Sequence, residues 1–412
     1  MEVGDRIEVI RNGKKYEGTL MPRISGNEDI IIIKLDNGYN VGIKPDKIKL
    51  VSKRVLKKRK KVKRVKKDPN KPTIVILGMG GTIASKIDYV TGAVTPLFSP
   101  EDIVENVPEL KEISNIEGRE IDRKLSENVD FDDYEKLVKE IKKEMKRKVK
   151  GIIITHGTDT LHYTASALSF AIENPPLPII LVGSQRSSDR ASSDGPMNLI
   201  CAAQFITKTD FKGVAISMHA SESDDYCHIL PPCKTRKMHS SKRDAFKTVN
   251  SKPIAKVYPD GRVEFIDKPK ESNIPTTTIK GKFERKVALL KVYPNMDPKI
   301  VDFFTKNKYK GIVLEGTGMG HAPIKILEPL KKFLKNGIVV MTTQCLNGRV
   351  NMNVYSTGRL LQDIGVVSGE DMLPEVAYIK LSWLLANYKS RKKVEELLKK
   401  NLRGEINERS EI

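Results

Sequence analysis

The first 51 residues of the chain alternate apolar and polar positions in short segments. The segments DRIEVI, KKYEGTLMPRI, DIIIIKL, YNVGI and KIKLV are interrupted by the Asn-Gly turns RNGK and DNG. Asn-Gly between alternating segments is typical of β-hairpins. About five short strands in so few residues predict a small SH3-like β-barrel.

From Thr73 onward the pattern changes to long apolar runs separated by helical segments. TIVILGM, GIIIT, LPIILVG and KGVAISM are predicted strands, and residues 161–173 are predicted to form a helix. Such runs, alternating with helices, indicate a parallel sheet covered on both faces.

A second α/β unit follows a stretch, residues 250–284, that is poor in periodicity and reads as a connection. KVALLKVY, KGIVLEG and GIVVMTT are its predicted strands, and the last residues, GEINERSEI, are expected to fray. The predicted organisation is a barrel at 1–52, a basic linker at 53–72, a larger α/β domain at 73–270 and a smaller C-terminal α/β domain at 285–412.

Composition places the chain among globular proteins, with 39% hydrophobic and 30% charged residues in 412. No apolar run approaches the roughly 20 residues that a membrane helix needs, and MEVGDRIEVI lacks a signal-peptide core. We therefore expect a cytoplasmic protein without membrane contact.

Four cysteines are too few for a disulfide framework. Because Cys227-His228 and Cys233 fit no common zinc spacing, no metal is expected.

The net charge of +21 is concentrated in part in KRVLKKRKKVKRVKK, residues 53–67, which contains no acid. A block of like charge is either a solvated linker or an interaction arm. Contact with RNA phosphates is the functional interpretation. Adaptation to high temperature also enriches lysine and glutamate, so the overall charge only supports an RNA partner.

The first candidate for chemistry is Gly78-Met79-Gly80-Gly81-Thr82-Ile83-Ala84, directly after a buried strand. Open α/β sheets bind ligands at the carboxyl ends of their strands, and glycines let a backbone approach a substrate closely. The segment is not GxGxxG and no Walker lysine follows, which argues against a nucleotide loop. A simple structural turn stays open as the alternative.

The second candidate, Thr155-His156-Gly157-Thr158-Asp159-Thr160, also follows a strand and opens a helix. Backbone N–H groups point outward at a helix N-terminus. The alternative is an ordinary N-cap, but a cap needs one such residue and not a cluster. His156 is interpreted as structural and not as a base.

Together these two motifs resemble the signatures of the L-asparaginase family, and the resemblance extends from about Thr73 to about Ala386. Two further segments support it. They are GSQR with DGPMNL, at 183–186 and 194–199, and RKMHSS at 236–241. In the last segment the family more often has Thr and Asn at Met238 and His239. The resemblance implies an asparaginase-like two-domain parallel-sheet enzyme.

The resemblance also implies roles for individual residues. Thr82 would attack the side-chain amide carbonyl, and Tyr89 would close over it, the alternative being an ordinary loop aromatic. Thr158, Asp159 and Lys237 would form a second triad that moves protons and activates water, since a threonine hydroxyl needs a nearby base. A lysine serves as that base if its surroundings favour the neutral amine.

Substrate recognition by resemblance uses Ser126 and Glu127, which would hold the α-amino and α-carboxyl groups, with Asp159 sharing the amino group. The alternative is that Ser126-Glu127 is a simple helix cap.

The added barrel and basic linker resemble the D-subunit family of archaeal-type glutamyl-tRNA(Gln) amidotransferases. That resemblance implies glutamine as substrate and a partner, the amidotransferase E subunit, which binds the tRNA and uses ATP and Mg to activate the misacylated glutamate. It implies no cofactor in this chain, and a homodimer within a heterotetramer. A free-standing L-asparaginase and an RNA-binding module without amidase activity are the alternatives.

Overall fold

The protein is described here by a computed structural model, which covers residues 1–21, 29–37, 39–53, 67–81, 85–87, 94–96, 107–187, 192–267 and 276–409. For 85–87 and 94–96 only the backbone is described. Thr82, Tyr89 and residues 54–66 of the basic run lie outside the described residues. The proposed roles of Thr82 and Tyr89 therefore rest on the sequence.

The N-terminal region is a five-stranded antiparallel sheet with the order β4-β3-β2-β1-β5. Its strands are β1 Arg6–Arg11, β2 Lys14–Leu20, β3 Ile31–Lys34, β4 Asn40–Ile43 and β5 Lys47–Ser52. Asn12 and Gly13 both have positive φ, 48° and 72°, at the β1–β2 turn, as a type I′ hairpin requires. A small core under the sheet comprises Ile7, Val9, Ile33 and Ile43. The predicted strands and the first predicted hairpin turn are confirmed.

The larger α/β domain is built on an eight-stranded sheet with the order β18-β17-β14-β13-β12-β10-β6-β9. The strands from this part of the chain, including short ones outside that sheet, are β6 Thr73–Gly80, β7 Ser85–Ile87, β8 Val94–Pro96, β9 Asn115–Lys124, β10 Gly151–Thr155, β11 Ile172–Glu173, β12 Pro178–Val182, β13 Gly213–His219, β14 Cys227–Leu230, β15 Thr235–Lys237, β16 Phe246–Thr248, β17 Ala255–Val257, β18 Val263–Phe265 and β19 Thr278–Ile279. From β9 to β13 neighbouring strands pair in parallel.

The helices of this domain are α1 Leu110–Ile113, α2 Phe131–Glu144, α3 Leu161–Ala171 and α4 Gly195–Lys208. Successive strand side chains enter different cores: Ile152 and Ile154 pack with α2 and α3, whereas Ile153 packs with α4. The period of two along a strand produces this division. Helices therefore cover both faces of the parallel part of the sheet, as predicted.

The sequence did not predict the antiparallel edge of this sheet. Strands β14, β17 and β18 pair antiparallel, and β17 and β18 come from the segment 250–284 that was interpreted as a plain connection. The hairpin turns at Asp260-Gly261, where Gly261 has φ +94°. Asp-Gly is a strong hairpin signal, but each flanking strand has only three residues, too few to show an alternating pattern.

The second α/β domain is a four-stranded sheet with the order β20-β21-β22-β23, all parallel. Its strands are β20 Val287–Lys291, β21 Gly311–Gly316, β22 Ile338–Thr343 and β23 Val367–Ser368. Its helices are α5 Lys299–Lys306, α6 Leu327–Leu334, α7 Ser356–Asp363, α8 Pro374–Asn387 and α9 Arg391–Leu398. Short 3-10 turns lie at Ser126–Asn128 in the larger domain and at Ile324–Ile326 in this one.

Helix α8 joins the two α/β domains in one apolar core. Its Ala377, Leu381 and Trp383 belong to the same buried cluster as Ile154 of the first sheet and Val313 of the second. Trp383 stacks on Phe170 of α3 with ring centroids 5.7 Å apart. Within the described part of the chain, no helix is long and apolar enough to cross a bilayer.

The C-terminal residues through Ile406 are docked and not frayed, which corrects the expectation for this tail. Glu405 is fully buried and pairs with Lys380 of α8 at 2.6 Å. The Arg403 side chain donates to the carbonyl of Ser169 at 2.8 Å. The tail is polar in sequence, and its burial depends on this long-range partner, which no local pattern reveals.

Candidate active site

The candidate site is built where the carboxyl ends of β6, β10 and β12 meet. Thr155 at the end of β10 is in register with Gly78 of β6 and Val182 of β12. The loops that follow these three strands therefore emerge side by side. This is the edge where parallel sheets bind ligands.

Three glycines let these loops touch. A Cβ on Gly81, whose φ is +86°, would lie 2.3 Å from the backbone nitrogen of Gly157. A Cβ on Gly157 would lie 2.7 Å from the Cβ of Ser126. A Cβ on Gly183 would lie 2.7 Å from Cγ2 of Thr158. Because real Cβ atoms do not approach so closely, only glycine fits in this interlocked set of loops.

Lys237 reaches the site from a separate two-stranded sheet. It lies at the end of β15, opposite Phe246 of β16. Its Nζ donates to Oγ1 of Thr158 at 2.8 Å and to Oδ1 of Asp159 at 2.7 Å. The structure thus brings together the three residues of the predicted proton-transfer group, although Lys237 lies 79 and 78 positions from the other two in sequence.

The environments of these three residues differ. Thr158 is 6% exposed, the Lys237 side chain is 10% exposed and the Asp159 side chain is 66% exposed. The hydroxyl and the amine are therefore largely withdrawn from water, while the carboxylate faces outward. A carboxylate in that place can orient the lysine and still accept a hydrogen bond from an incoming ammonium group.

The polar residue directly before α3, Thr160, does not act as an ordinary N-cap. Thr160 occupies the N-cap position but makes no side-chain capping bond. Its Oγ1 donates instead to the carbonyl of Ser126 at 2.6 Å. Thr160 thereby ties the start of α3 to the loop that carries Ser126 and Glu127.

Ser126 is buried beneath Gly157, and Glu127 is exposed. The pair forms a 3-10 turn, Ser126–Asn128, and does not cap α2. The cap of α2 is Asp130, which forms a capping box with Asp133. The helix-cap alternative for Ser126-Glu127 is therefore wrong, and the pair lies beside the Thr158 loop.

His156 is completely buried, and both ring nitrogens are engaged. Nδ1 lies 2.7 Å from the carbonyl of Gly157, and Nε2 lies 2.9 Å from Oγ1 of Thr164. Burial lowers the pKa of His156. In the neutral ring, Nδ1–H donates to the carbonyl and Nε2 accepts from the hydroxyl. His156 shapes the loop, in agreement with its interpretation as structural.

Asp194 and Asn198 organise the third loop, although the sequence analysis gave neither a role. Oδ1 of Asp194 accepts from Ser184 Oγ and from the backbone nitrogens of Gln185 and Arg186, each at 3.0 Å. Asn198 Nδ2 donates to the carbonyl of Gly183 at 3.0 Å. These bonds hold Gly183 against Thr158. The DGPMNL segment marked these residues, but their contacts depend on the fold.

Three of the four cysteines are core residues. Cys201, Cys227 and Cys233 are buried free thiols, and Cys345 is exposed. Burial raises the pKa of the Cys233 thiol to about 12, so this thiol stays protonated. Among the described residues, no group of three or more His, Cys, Asp and Glu side chains is arranged to hold a metal ion.

Comparison with protein families assigns almost the whole chain. The model of the asparaginase N-terminal domain matches residues 73–271, and that of the glutaminase/asparaginase C-terminal domain matches residues 286–398. The GatD N-terminal domain matches residues 1–52. The predicted domain boundaries stay predictions, since no independent division of the chain tests them.

Two relatives that match this chain over nearly its full length are both described as glutamyl-tRNA(Gln) amidotransferase D subunits. The chain is 47% identical to the glutamyl-tRNA(Gln) amidotransferase D subunit of Methanococcus maripaludis, over 99% of each chain. It is 46% identical to the corresponding D subunit of Sulfolobus acidocaldarius, over 99% of this chain and 92% of that one.

Solved structures share the two α/β domains. The thermostable L-asparaginase from Thermococcus kodakarensis superimposes with a TM-score of 0.75 and 32% identity, covering 81% of this chain and 99% of that one. L-asparaginase I from Vibrio cholerae gives a TM-score of 0.72 and 29% identity, covering 82% and 99%. The chain therefore belongs to the asparaginase family and, within it, to the family of glutamyl-tRNA(Gln) amidotransferase D subunits.

Proposed function

We propose that this chain is the ammonia-releasing glutaminase subunit of a tRNA-dependent amidotransferase, which converts Glu-tRNA(Gln) to Gln-tRNA(Gln). The observation that carries the proposal is the contact of Lys237 Nζ with Thr158 Oγ1 and Asp159 Oδ1, at 2.8 and 2.7 Å. A hydroxyl, an amine and an orienting carboxylate within hydrogen-bond reach form the group that amide hydrolysis through a threonine requires.

The reaction proceeds through an acyl-enzyme. Thr82 Oγ1 attacks the carbonyl carbon of the side-chain amide and its proton passes to a base. The base returns that proton to the amide nitrogen, and the C–N bond breaks with release of ammonia. Water then attacks the ester, which yields glutamate and the free threonine. Thr158, Asp159 and Lys237 carry the protons and activate the water. Backbone N–H groups of the strand-end loops stabilise the oxyanion.

Charges at the site fit an amino-acid substrate. The exposed carboxylates of Asp159 and Glu127 lie on neighbouring loops, and each can accept a hydrogen bond from the α-ammonium group. Ser126 and the N–H groups at the start of α3 are donors for the α-carboxylate. We propose Ser126, Glu127 and Asp159 as the residues that bind glutamine.

The chain acts within a tRNA-dependent complex, as its relatives' descriptions support. The finer assignment is a proposal: the amidotransferase E subunit binds the charged tRNA and uses ATP and Mg, and this chain needs no cofactor of its own. We further propose a cytoplasmic heterotetramer that contains two copies of this chain.

The test is ammonia release by the purified chain, alone and then with the E subunit, ATP, Mg and Glu-tRNA(Gln), with glutamine and asparagine compared as amide donors. We expect glutamine to be preferred and its turnover to rise in the complete mixture. Thr158→Ala is the control for the site. High asparagine turnover that ignores the partner and the tRNA would instead assign the L-asparaginase activity named for the similar solved structures.

A further inference from the structure

The strand that carries Lys237 is tied to the second α/β domain by two ion pairs. We propose that Asp371 and Glu375, both from the second domain, position Lys237 for proton transfer by holding Lys234 and Arg236. The inference rests on the proposed function, because it assigns Lys237 a part in amide hydrolysis.

Side chains around β15 point in two directions. Lys237 reaches Thr158 and Asp159 in the first domain. Arg236 lies one position before it, so the alternation of the strand directs Arg236 to the other side. Lys234 lies in the bend that precedes β15 and also turns to that side. Their ion-pair partners confirm this, since both belong to the second domain. Fixing Lys234 and Arg236 therefore fixes the direction in which Lys237 leaves the strand.

The pair of Lys234 and Asp371 is closed to solvent. The two residues are 1% and 2% exposed. Nζ of Lys234 donates to Oδ2 of Asp371 at 2.7 Å and to its backbone carbonyl at 3.0 Å. The second carboxylate oxygen accepts from the backbone nitrogen of Asn407 at 2.9 Å. With its partners fixed and water excluded, this pair cannot slide without leaving a buried charge unpaired.

The second pair is looser and lies closer to the active site. Nε of Arg236 is 3.4 Å from Oε1 of Glu375, in the first turn of α8. That oxygen is buried and has no hydrogen-bond partner. His162 lies 3.6 Å away, but burial lowers its pKa to about 3, so the ring is neutral. Among the described residues Arg236 is thus the charged group that faces this carboxylate within ion-pair distance.

Both acids belong to one short segment, residues 371–375, which opens the helix shared by the two α/β domains. A shift of this segment moves Lys234 and Arg236 together and displaces Nζ of Lys237 from Thr158. Displacements of about 1 Å at a reacting group cost rate far more than they cost binding. Asp371 and Glu375 therefore act on turnover through Lys234 and Arg236.

The experiment compares three variants that each replace a buried carboxylate by its amide. Asp371→Asn and Glu375→Gln remove the proposed anchors. Glu144→Gln is the matched control, because Glu144 is an equally buried carboxylate that pairs with Arg119 at 3.0 Å, at the far end of α2 in the larger domain. The full chain is assayed for kcat and KM with glutamine, for the pH dependence of kcat and for its thermal midpoint.

We expect Asp371→Asn and Glu375→Gln to lower kcat about tenfold or more while KM stays within about twofold, and to move the acid limb of the kcat profile. Glu144→Gln should lower the thermal midpoint but leave kcat and its pH profile in place. Normal kcat in both anchor variants would overturn the inference. So would an equal loss of kcat in Glu144→Gln, which would indicate general destabilisation.

Two further variants distinguish failure of the positioning role from a failure to fold and from a failure of the proposed function. Lys234→Met combined with Asp371→Leu removes both charges while filling the space, so it should fold even where Asp371→Asn does not. A kcat near that of the unmodified chain in this folded variant would contradict the positioning role. Thr158→Ala tests the proposed function itself: if it retains turnover, the site assignment fails, whatever the anchor variants do.

Discussion

At the scale of single residues, Lys237 is defined by what surrounds its amine. One neighbour is a buried hydroxyl and the other an exposed carboxylate, and both lie within 2.8 Å. A lysine amine delivers and accepts protons only if it can lose one. A guanidinium in the same place stays charged and only donates.

Lys237→Ala should therefore reduce glutamine hydrolysis by about a hundredfold or more, the usual scale for a group that moves protons. Lys237→Arg should not restore it. Steady-state ammonia release by both variants, with folding checked by circular dichroism, tests this. Substantial activity in the arginine variant would show that the site needs a positive charge and not a base.

His162 gives a residue-scale prediction for acid stability. Burial lowers its pKa from 6.5 to about 3, so between these values the unfolded chain binds a proton that the folded chain does not. The stability contribution is complete above pH 6.5 and is lost as the pH falls towards 3. His162→Leu should remove this dependence, retaining about 2 kcal/mol more of the unfolding free energy as the pH drops by about two units.

The measurement is urea unfolding of both proteins at several pH values from 6.5 down to about 4.5. The comparison with the unmodified chain cancels the contributions of other titrating groups. Parallel curves for the two proteins would mean that His162 is not the group responsible.

At the scale of elements, the site depends on how closely the strand-end loops pack. Gly183 has no room for a side chain, because an added Cβ would lie 2.7 Å from Thr158 and 3.1 Å from Leu161. Either the loop after β12 or the start of α3 must shift to accept one. Since Thr158 contacts Lys237, a shift of either element separates the catalytic group.

Gly183→Ala should accordingly lower kcat about tenfold or more and cost about 1–3 kcal/mol of stability through overpacking. Gly42→Ala in the N-terminal sheet is the control, since within 4 Å its Cβ would meet only the exposed Ile30 side chain, at 3.2 Å. Turnover and unfolding free energy are measured for both. If Gly183→Ala turns over normally, the close approach has no bearing on catalysis.

The elements also show how much of the fold and of the candidate site the sequence alone predicts. Strands such as β10 and the loops after them were predictable, because buried parallel strands leave long apolar runs with polar residues at their ends. The β17–β18 hairpin was missed, since its strands are too short to show a period. The roles of Asp194 and Asp371 were not predicted, because their partners lie elsewhere in the fold. An acidic residue in isolation does not indicate which loop or lysine it will hold.

At the scale of the whole molecule, charge is distributed unevenly along the chain. The run 53–67 is basic throughout, and its last residue, Lys67, pairs with Glu117 of the larger domain at 2.5 Å. Residues 54–66 of the run, outside the described residues, carry enough lysine and arginine to bind a polyanion. A plain spacer would have no effect on tRNA affinity.

Replacing Lys57, Lys58, Lys60 and Lys61 by Gln should weaken tRNA binding by the complex and flatten its salt dependence. Each phosphate contact that is lost reduces the slope of log K against log salt by about one. Binding is measured at several salt concentrations for both proteins, with ammonia release as the control that should not change. Identical slopes would leave the run as a spacer.

Helix α8 also affects how the molecule unfolds, because its side chains enter the core lined by both α/β sheets. Each α/β half has a buried apolar cluster of its own, but the core around α8 is built from both halves, so a calorimeter should record their melting as one cooperative transition. Cleavage of the chain between residues 267 and 276, in the connection, would then leave two pieces that stay bound. Expressed separately, each piece should expose its share of the core around α8 and gain stability when the two meet, which makes this connection a suitable place for a split reporter.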